Sequence, residues 1–189
     1  MTSPEQPRTD RERLRQLITD LAVVHGTVTL ASGKQADYYV DLRRITLHHE
    51  AAPLVGTVML DVIDDAGVQA DAVGGLTMGA DPVGTAILHA AAARGRAMDA
   101  FVVRKEGKAH GLQRRIEGPD VAGRRVVAVE DTSTTGGSVM TAVDALREAG
   151  AEVAAVAVIV DRDTGAREAV EQAGLSYHYA FSKADLGLD

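Results

Sequence analysis

The chain has 189 residues, which suits one domain with a full hydrophobic core, and only 3% of them are aromatic, so aliphatic side chains must build that core. A net charge of −7 without a long run of Lys or Arg argues against a nucleic-acid partner, and the lack of cysteine excludes disulfides, thiolate metal sites and a cysteine nucleophile. No apolar run reaches transmembrane length and residues 1–10 lack the apolar core of a signal peptide, so we expect a cytoplasmic protein with no membrane partner.

The N-terminal part is expected to form a small cap on the body of the protein. Residues 1–10 are almost wholly polar, so we predict a disordered tail there and a single domain over 11–189. A helix is predicted from Arg11 to Gly26 because apolar residues recur on one face: Leu14, Leu17, Ile18, Leu21 and Val24. Two short strands follow, at 27–30 and 38–42. In the second, Tyr38 and Tyr39 point to opposite faces, so one can line a pocket while the other packs.

Helices and buried strands then alternate, which indicates an α/β fold with a central, mostly parallel sheet. A helix is predicted over 50–66, a strand begins at Ala72, and Asp81 and Pro82 suit the N-cap and first position of the next helix. The glycine-rich turn before that helix is an anion site of a common type, and alone it is a weak signal.

A charged stretch with two glycines follows the next buried strand, 100–103. It contains Arg104, Lys105, Lys108 and His110 and has little apolar content, so we predict a mobile loop over 104–115. A solvated surface loop is the plain alternative. Cations on a loop that closes can neutralise a leaving anion and exclude water.

The most informative stretch joins a buried strand to a helix. Four apolar residues after Arg125 are typical of a strand covered on both faces, and the acids Glu130 and Asp131 are predicted to end it. Hydroxyls and glycines come next: Thr132, Ser133, Thr134, Thr135, Gly136, Gly137 and then Ser138, which opens a helical pattern. Such a turn favours a bound phosphate, and the two carboxylates can accept hydrogen bonds from sugar hydroxyls. A hydrophilic turn with a Ser/Thr cap is the alternative.

The C-terminal part continues the alternation of strand and helix. A long apolar strand over 153–160 ends at Asp161 and Arg162, where a guanidinium suits bidentate capture of a substrate carboxylate. A helix over 166–173 and a last strand over 177–181 complete the prediction.

The acidic pair and its Thr/Gly turn resemble the signature of the type I phosphoribosyltransferases. Three further stretches match the pattern of the orotate phosphoribosyltransferases: Thr29-Leu30-Ala31-Ser32-Gly33, the loop at 104–111, and Asp161-Arg162. The first two of these narrow the resemblance to that family. The resemblance implies the type I phosphoribosyltransferase fold, with a hood built from about 11–45 and the C-terminal segment. It implies transfer of a phosphoribosyl group from phosphoribosyl pyrophosphate (PRPP) to orotate, giving orotidine 5′-monophosphate and pyrophosphate on the route to UMP.

The same resemblance implies roles for individual residues. Lys105, Glu130 and Asp131 carry over as catalytic residues, and Thr134 and Arg162 carry over as contacts of orotate. The implied PRPP contacts are Arg104, Lys105, Lys108, His110 and all of Glu130, Asp131, Thr132, Ser133, Thr134, Thr135, Gly136, Gly137 and Ser138. Mg²⁺ is implied as a cofactor bound mainly through PRPP, without a metal site of the protein's own. A homodimer is implied, in which loop 104–115 acts in the neighbouring subunit's site.

The chain departs from the family pattern at two places. Ala31 stands where many members carry Lys, and Met78-Gly79 stands where many carry Tyr-Lys. Each departure removes a possible phosphate or substrate contact, and Lys34 can supply one missing cation by hypothesis.

Three other readings stay open from the sequence. A purine-base phosphoribosyltransferase would share the acidic pair and its turn but would need Arg162 and the 29–33 stretch less. A non-catalytic regulator that senses PRPP should show a basic face or an added winged-helix domain, and a chain of net charge −7 offers neither. An α/β domain without phosphoribosyl chemistry is the third.

Overall fold

The computed structural model of the chain describes residues 9–29, 35–106 and 115–188. Its N-terminal elements are α1 (Asp10–Leu17), a π-helical turn (Ile18–Ala22), β1 (Val23–Thr29), β2 (Gln35–Val40), α2 (Arg43–Thr46) and α3 (Ala51–Asp65). The middle elements are β3 (Ala72–Leu76), α4 (Ala80–Ala93), β4 (Asp99–Val103) and β5 (Ile116–Glu117). The C-terminal elements are β6 (Arg125–Ser133), α5 (Gly137–Glu148), β7 (Glu152–Asp161), α6 (Ala166–Gln172), β8 (Ser176–Ser182) and a 3₁₀ turn (Ala184–Leu186).

Six strands form one sheet in the order β5-β4-β3-β6-β7-β8. All neighbours in it are parallel except β4 and β5, which pair antiparallel. The predicted α/β architecture with a mostly parallel sheet is therefore confirmed. The sequence did not reveal β5, because two residues beside a charged loop carry no periodic signal.

Helices cover both faces of the sheet, and this explains why residues 126–129 of β6 form an unbroken apolar run. Val127 and Val129 pack into the cluster that contains α1, α3 and α4, whereas Val126 and Ala128 pack into the cluster that contains α5 and α6. Alternate residues of a strand point to opposite faces, so a strand covered twice needs an unbroken apolar run.

The N-terminal helix differs from its prediction at both ends. It begins at Asp10 because Thr9 caps it: the Thr9 hydroxyl accepts from the Glu12 amide at 3.3 Å, and the Glu12 carboxylate accepts from the Thr9 amide at 2.9 Å. The prediction that it reaches Gly26 is wrong, because β1 starts at Val23. Two consecutive β-branched residues, Val23 and Val24, pair there with β2 instead of continuing a helix.

The hood consists of the antiparallel pair β1 and β2, which stands apart from the main sheet. The Tyr38 hydroxyl donates to the Leu188 carbonyl at 3.2 Å, and the Arg11 guanidinium donates to the Ala180 carbonyl. The N-terminal and C-terminal segments therefore contact each other. Most of the 29–33 stretch, with Lys34, lies outside the described residues. In the described part of the chain, no helix is long and apolar enough to cross a membrane.

Candidate active site

A cavity of about 580 Å³ opens at the carboxyl ends of β3, β4 and β6, where open parallel sheets hold their ligands. It is closed on the other side by the segment that links β2 to α2. Its lining residues include Tyr39, Asp41, Arg43, Thr77, Met78, Gly79, Lys105, Glu130, Asp131, Thr132 and Ser138. Segments far apart in the sequence thus converge on one space that contains both carboxylates of the acidic pair.

The acidic pair lies within β6 and does not end it, as the sequence had suggested. Thr132 pairs with Val160 and Ser133 with Asp161, so β7 continues to satisfy the main chain of β6 beyond the acids. The strand therefore runs to Ser133 and delivers the pair to the cavity on a rigid element. Asp131 is only 9% exposed, and its Oδ1 accepts from the Thr132 amide at 2.7 Å.

Burial changes the protonation of this pair. The pKa of Glu130 is raised to about 7, first by burial and then by the charge of Asp131, while a hydrogen bond with Ser138 lowers it in part. Burial also raises the pKa of Asp131, although the hydrogen bond from the Thr132 amide and the positive charge of Arg43 lower it in part. Hydroxyl donors on a ligand would stabilise the charged forms that burial disfavours.

The turn after β3 approaches Asp131 so closely that a side chain at position 79 would require the carboxylate or the turn to shift. A Cβ on Gly79 would lie 2.8 Å from Asp131 Oδ1. The peptide bond between Thr77 and Met78 in this turn is cis. The turn thus forms the cavity wall opposite the acidic pair.

The prediction that Asp81 caps α4 is wrong, because the helix begins at Ala80 with Gly79 in the cap position. Asp81 lies instead in the first turn, and its carboxylate accepts from the Thr77 hydroxyl at 2.8 Å. Asp81 thereby ties the start of the helix back to the turn and complements the helix dipole.

The Thr/Gly turn leads into α5 in the form expected of a phosphate cradle. Gly136 has a left-handed φ of 82° and is the cap residue, so no side chain caps the helix, and α5 starts at Gly137, one residue before the predicted start. The Ser/Thr cap of the alternative reading is therefore not what the turn forms. Thr134 and Thr135 are exposed, which leaves their hydroxyls and the first amides of α5 facing solvent.

The base of the charged loop is closed by the backbone. The Arg104 amide donates to the Arg115 carbonyl at 2.7 Å, and the Arg104 side chain contacts Glu117 at 3.5 Å. Lys105 lines the cavity, whereas Arg104 does not. Lys108 and His110 lie outside the described residues, so their implied roles stay predictions.

Arg162 follows β7 and lies beside the Thr/Gly turn. Its amide donates to the Ser133 carbonyl at 3.1 Å, and its guanidinium lies 5.9 Å from the centre of the Tyr38 ring. Arg162 thus lies between the turn and the hood, and neither Arg162 nor Thr134 is among the residues that line the cavity. Tyr39 lines the cavity while Tyr38 packs against the core, as the alternation of a strand requires.

The sequence did not identify the cavity wall at Asp41 and Arg43. The Arg43 Nε donates to Asp41 Oδ1 at 3.0 Å, and both side chains face the space in front of the acidic pair. The only available signal was two charged residues at the end of a predicted strand, Asp41 inside it and Arg43 directly after it.

Comparison with known proteins places this geometry in a family. A model of the phosphoribosyl transferase domain matches residues 42–174. The orotate phosphoribosyltransferase of Streptomyces coelicolor is 69% identical over 180 residues, which are 95% of this chain and 98% of that protein. The chain belongs to the orotate phosphoribosyltransferase family.

Solved structures of the family agree with the fold described above. One of them is the crystal structure of Mycobacterium tuberculosis H37Rv orotate phosphoribosyltransferase in complex with PRPP. It is 52% identical in sequence and has a TM-score of 0.83, and the match covers 95% of this chain and 100% of that one. An orotate phosphoribosyltransferase from Aeropyrum pernix is 28% identical, with a TM-score of 0.77 and coverage of 92% of this chain and 95% of that one. The type I phosphoribosyltransferase fold is thereby confirmed.

Proposed function

We propose that the chain transfers the phosphoribosyl group of PRPP to orotate, giving orotidine 5′-monophosphate and pyrophosphate in the biosynthesis of UMP. The observation that carries the proposal is that Glu130, Asp131, Lys105 and the turn at 77–79 line one cavity. The similarity of the chain to orotate phosphoribosyltransferases supports the choice of substrate. A purine-base enzyme or a regulator that senses PRPP is the second candidate.

The cavity and the turn beside it match the parts of PRPP. The 5-phosphate fits the start of α5, where Thr134, Thr135 and the first amides are open and the helix dipole favours an anion. The ribose hydroxyls can donate to Glu130 and Asp131. This orientation directs the pyrophosphate toward Lys105 and the turn at 77–79.

The chemistry is displacement at the anomeric carbon. A ring nitrogen of orotate forms the new C–N bond and gives up its proton to solvent, while the C–O bond to pyrophosphate breaks and pyrophosphate leaves with the electron pair. The sugar ring carries positive charge in between. Glu130 and Asp131 favour that charge, and Lys105 neutralises the leaving group, with Lys108 and His110 as further predicted contacts. The protein orients the reactants and stabilises charge, and it needs no covalent nucleophile.

Arg162 is the proposed anchor of orotate, together with Thr134. The Arg162 guanidinium lies over the Tyr38 ring, and its planar fork of N–H donors suits a carboxylate. Orotate carries such a carboxylate and purine bases do not. This contact therefore favours orotate over the purine alternative.

We propose that Mg²⁺ enters bound to the pyrophosphate of PRPP. The carboxylates of Asp41, Glu130 and Asp131 line the cavity without coming together as a metal site, so the ion would be held mainly by the pyrophosphate. Within the described residues, no cluster of three or more His, Asp or Glu side chains could hold a metal. When bound, the ion offsets the charge of the leaving group.

We also propose a homodimer. The family resemblance implies that loop 104–115 acts in the partner's site, whereas Lys105 lines the cavity of its own chain in the structure, so the two arrangements can be told apart by experiment. A groove of about 840 Å³ next to the cavity is lined mainly by apolar residues of α3 and α4, and Arg43 lines both the groove and the cavity. Leu47 and Met78 also line the groove and are 74% and 64% exposed. Mixing inactive Lys105→Ala with inactive Asp131→Asn should restore activity if the loop acts in trans, since each hybrid dimer then holds one intact site. Absence of restoration in mixtures shown to contain hybrid dimers would contradict action in trans.

The experiment that tests the activity is loss of orotate absorbance with PRPP and Mg²⁺. We expect Lys105→Ala and Asp131→Asn each to lower kcat/KM about 100-fold, because each removes a charge that stabilises the transition state. The matched controls Lys183→Ala and Asp144→Asn change the same residue types away from the cavity and should stay within about twofold of wild type. Wild type that binds PRPP without consuming orotate would redirect the assignment to purine bases and then to a regulatory role.

A further inference from the structure

The described wall of the cavity has three acidic and two cationic side chains. Its acidic side chains are Asp41, Glu130 and Asp131, and its cationic side chains are Arg43 and Lys105. The turn at 77–79, which faces the acidic pair, is Thr-Met-Gly and carries no charge. A pyrophosphate bound against that turn needs a cation from another element.

We propose that Arg43 binds the pyrophosphate of PRPP and so supplies the positive charge that the turn at 77–79 lacks. The inference rests on the proposed function, because it assigns one more ligand contact to the same cavity.

The position of Arg43 favours this contact. It is the first residue of α2 and lines the cavity together with Thr77, Met78 and Gly79. Its charge lowers the pKa of the Asp131 carboxyl, which places the guanidinium within electrostatic reach of the acidic pair. A phosphate oxygen between the turn and Lys105 would lie in the same space.

The geometry of Arg43 leaves it able to bind an anion. Its Nε and its amide both donate to Asp41 Oδ1, at 3.0 and 3.3 Å, which holds the side chain in place. Among the contacts of the described residues, its terminal amino groups make no hydrogen bond, and 46% of the side chain is exposed. Five N–H groups in a planar fork match phosphate oxygens, so Asp41 can keep one while the ligand takes the others.

The neighbouring residue provides a matched control. Arg44 is exposed on the same short helix but does not line the cavity. Neutralising either residue changes the net charge of the protein equally. A difference between the two variants therefore reports on the cavity and not on the overall charge.

The test measures binding of two fragments of PRPP by calorimetry in the presence of Mg²⁺. Inorganic pyrophosphate probes the leaving group, and ribose 5-phosphate probes the rest. In Arg43→Gln we expect Kd for pyrophosphate and KM for PRPP to rise about tenfold, because a charged hydrogen bond is lost. The Kd for ribose 5-phosphate should stay within about twofold of wild type. Arg43→Lys should be intermediate, and Arg44→Gln should bind both fragments like wild type.

The proposal is overturned if Arg43→Gln binds pyrophosphate as well as Arg44→Gln does, if both fragments weaken equally, or if wild type does not bind pyrophosphate. Thermal unfolding checks that each variant is folded. If Arg43→Gln does not fold, the binding of pyrophosphate by Arg43→Lys is compared with that by Arg44→Gln instead. Failure of the proposed function looks different, because wild type would then bind pyrophosphate with the expected sensitivity to Arg43→Gln and still leave orotate unconsumed.

Discussion

Glu130 is the side chain whose protonation should control the cavity near neutral pH. Its raised pKa of about 7 means that it takes up a proton as pH falls from 8 to 6 and then loses an acceptor for the ribose hydroxyls. We expect kcat/KM for PRPP to be about tenfold lower at pH 6 than at pH 8. The measurement is a pH profile of kcat/KM for wild type and for Glu130→Gln. The variant should be less active and should not show the change between pH 6 and pH 8. Full wild-type activity at pH 6 would contradict the assignment.

The same pKa predicts an effect on stability. The folded protein binds the Glu130 proton more tightly than the unfolded chain does, so this group lowers the free energy of unfolding as pH rises from about 4.5 to about 7. Glu130→Gln should therefore be more stable than wild type at pH 8, by about 2 kcal/mol, with little difference below pH 4.5. Urea unfolding at both pH values tests this, and Glu171→Gln, an exposed glutamate on α6, should show no such change.

At the scale of elements, the contact between α3 and α4 depends on one glycine. A Cβ on Gly56 would lie 2.2 Å from the Ala86 carbonyl oxygen, so the two helices can approach this closely only without a side chain. Gly56→Ala should lower the free energy of unfolding by about 2 kcal/mol. Gly84→Ala on α4 is the control: its Cβ would find its nearest neighbour at 3.5 Å, so it should be neutral or slightly stabilising in urea unfolding. Equal losses in both variants would count against the packing argument.

The central strands and helices could be predicted because their signals are local. Runs such as 126–129 and 153–160 are apolar on both faces, and glycines mark where helices stop. Boundaries failed where a distant partner decides the outcome. β6 continues through Glu130 and Asp131 because β7 runs beside it, and Val23 leaves the helix because β2 offers a pairing edge.

The candidate site likewise has a part that the sequence could predict and a part that it could not. Glu130, Asp131 and the turn after them were found because one contiguous motif carries them. The wall at Asp41 and Arg43 was not found, since it belongs to this cavity only through folding of the hood. The predicted contacts of Lys108 and His110 lie outside the described residues and stay predictions.

At the scale of the whole molecule, ligand binding should be visible as global stabilisation. A ligand that binds only the folded state at 100 times its Kd adds about 2.7 kcal/mol, which for a chain of this size raises Tm by roughly 5–10 °C. We expect this shift with PRPP and Mg²⁺ in thermal unfolding, and a much smaller one with PRPP after Mg²⁺ is removed by chelation, because three carboxylates then face the bare pyrophosphate. An equal shift without Mg²⁺ would contradict a role for the ion in binding.

The close approach of Gly79 to Asp131 also limits how this turn could be redesigned. A lysine at position 79 would place its first side-chain carbon 2.8 Å from Asp131 Oδ1, and Asp131 is held by the Thr132 amide. Either the carboxylate or the turn would have to shift before that side chain could be accommodated. A redesign that adds a cation to this turn therefore has to treat positions 79 and 131 together.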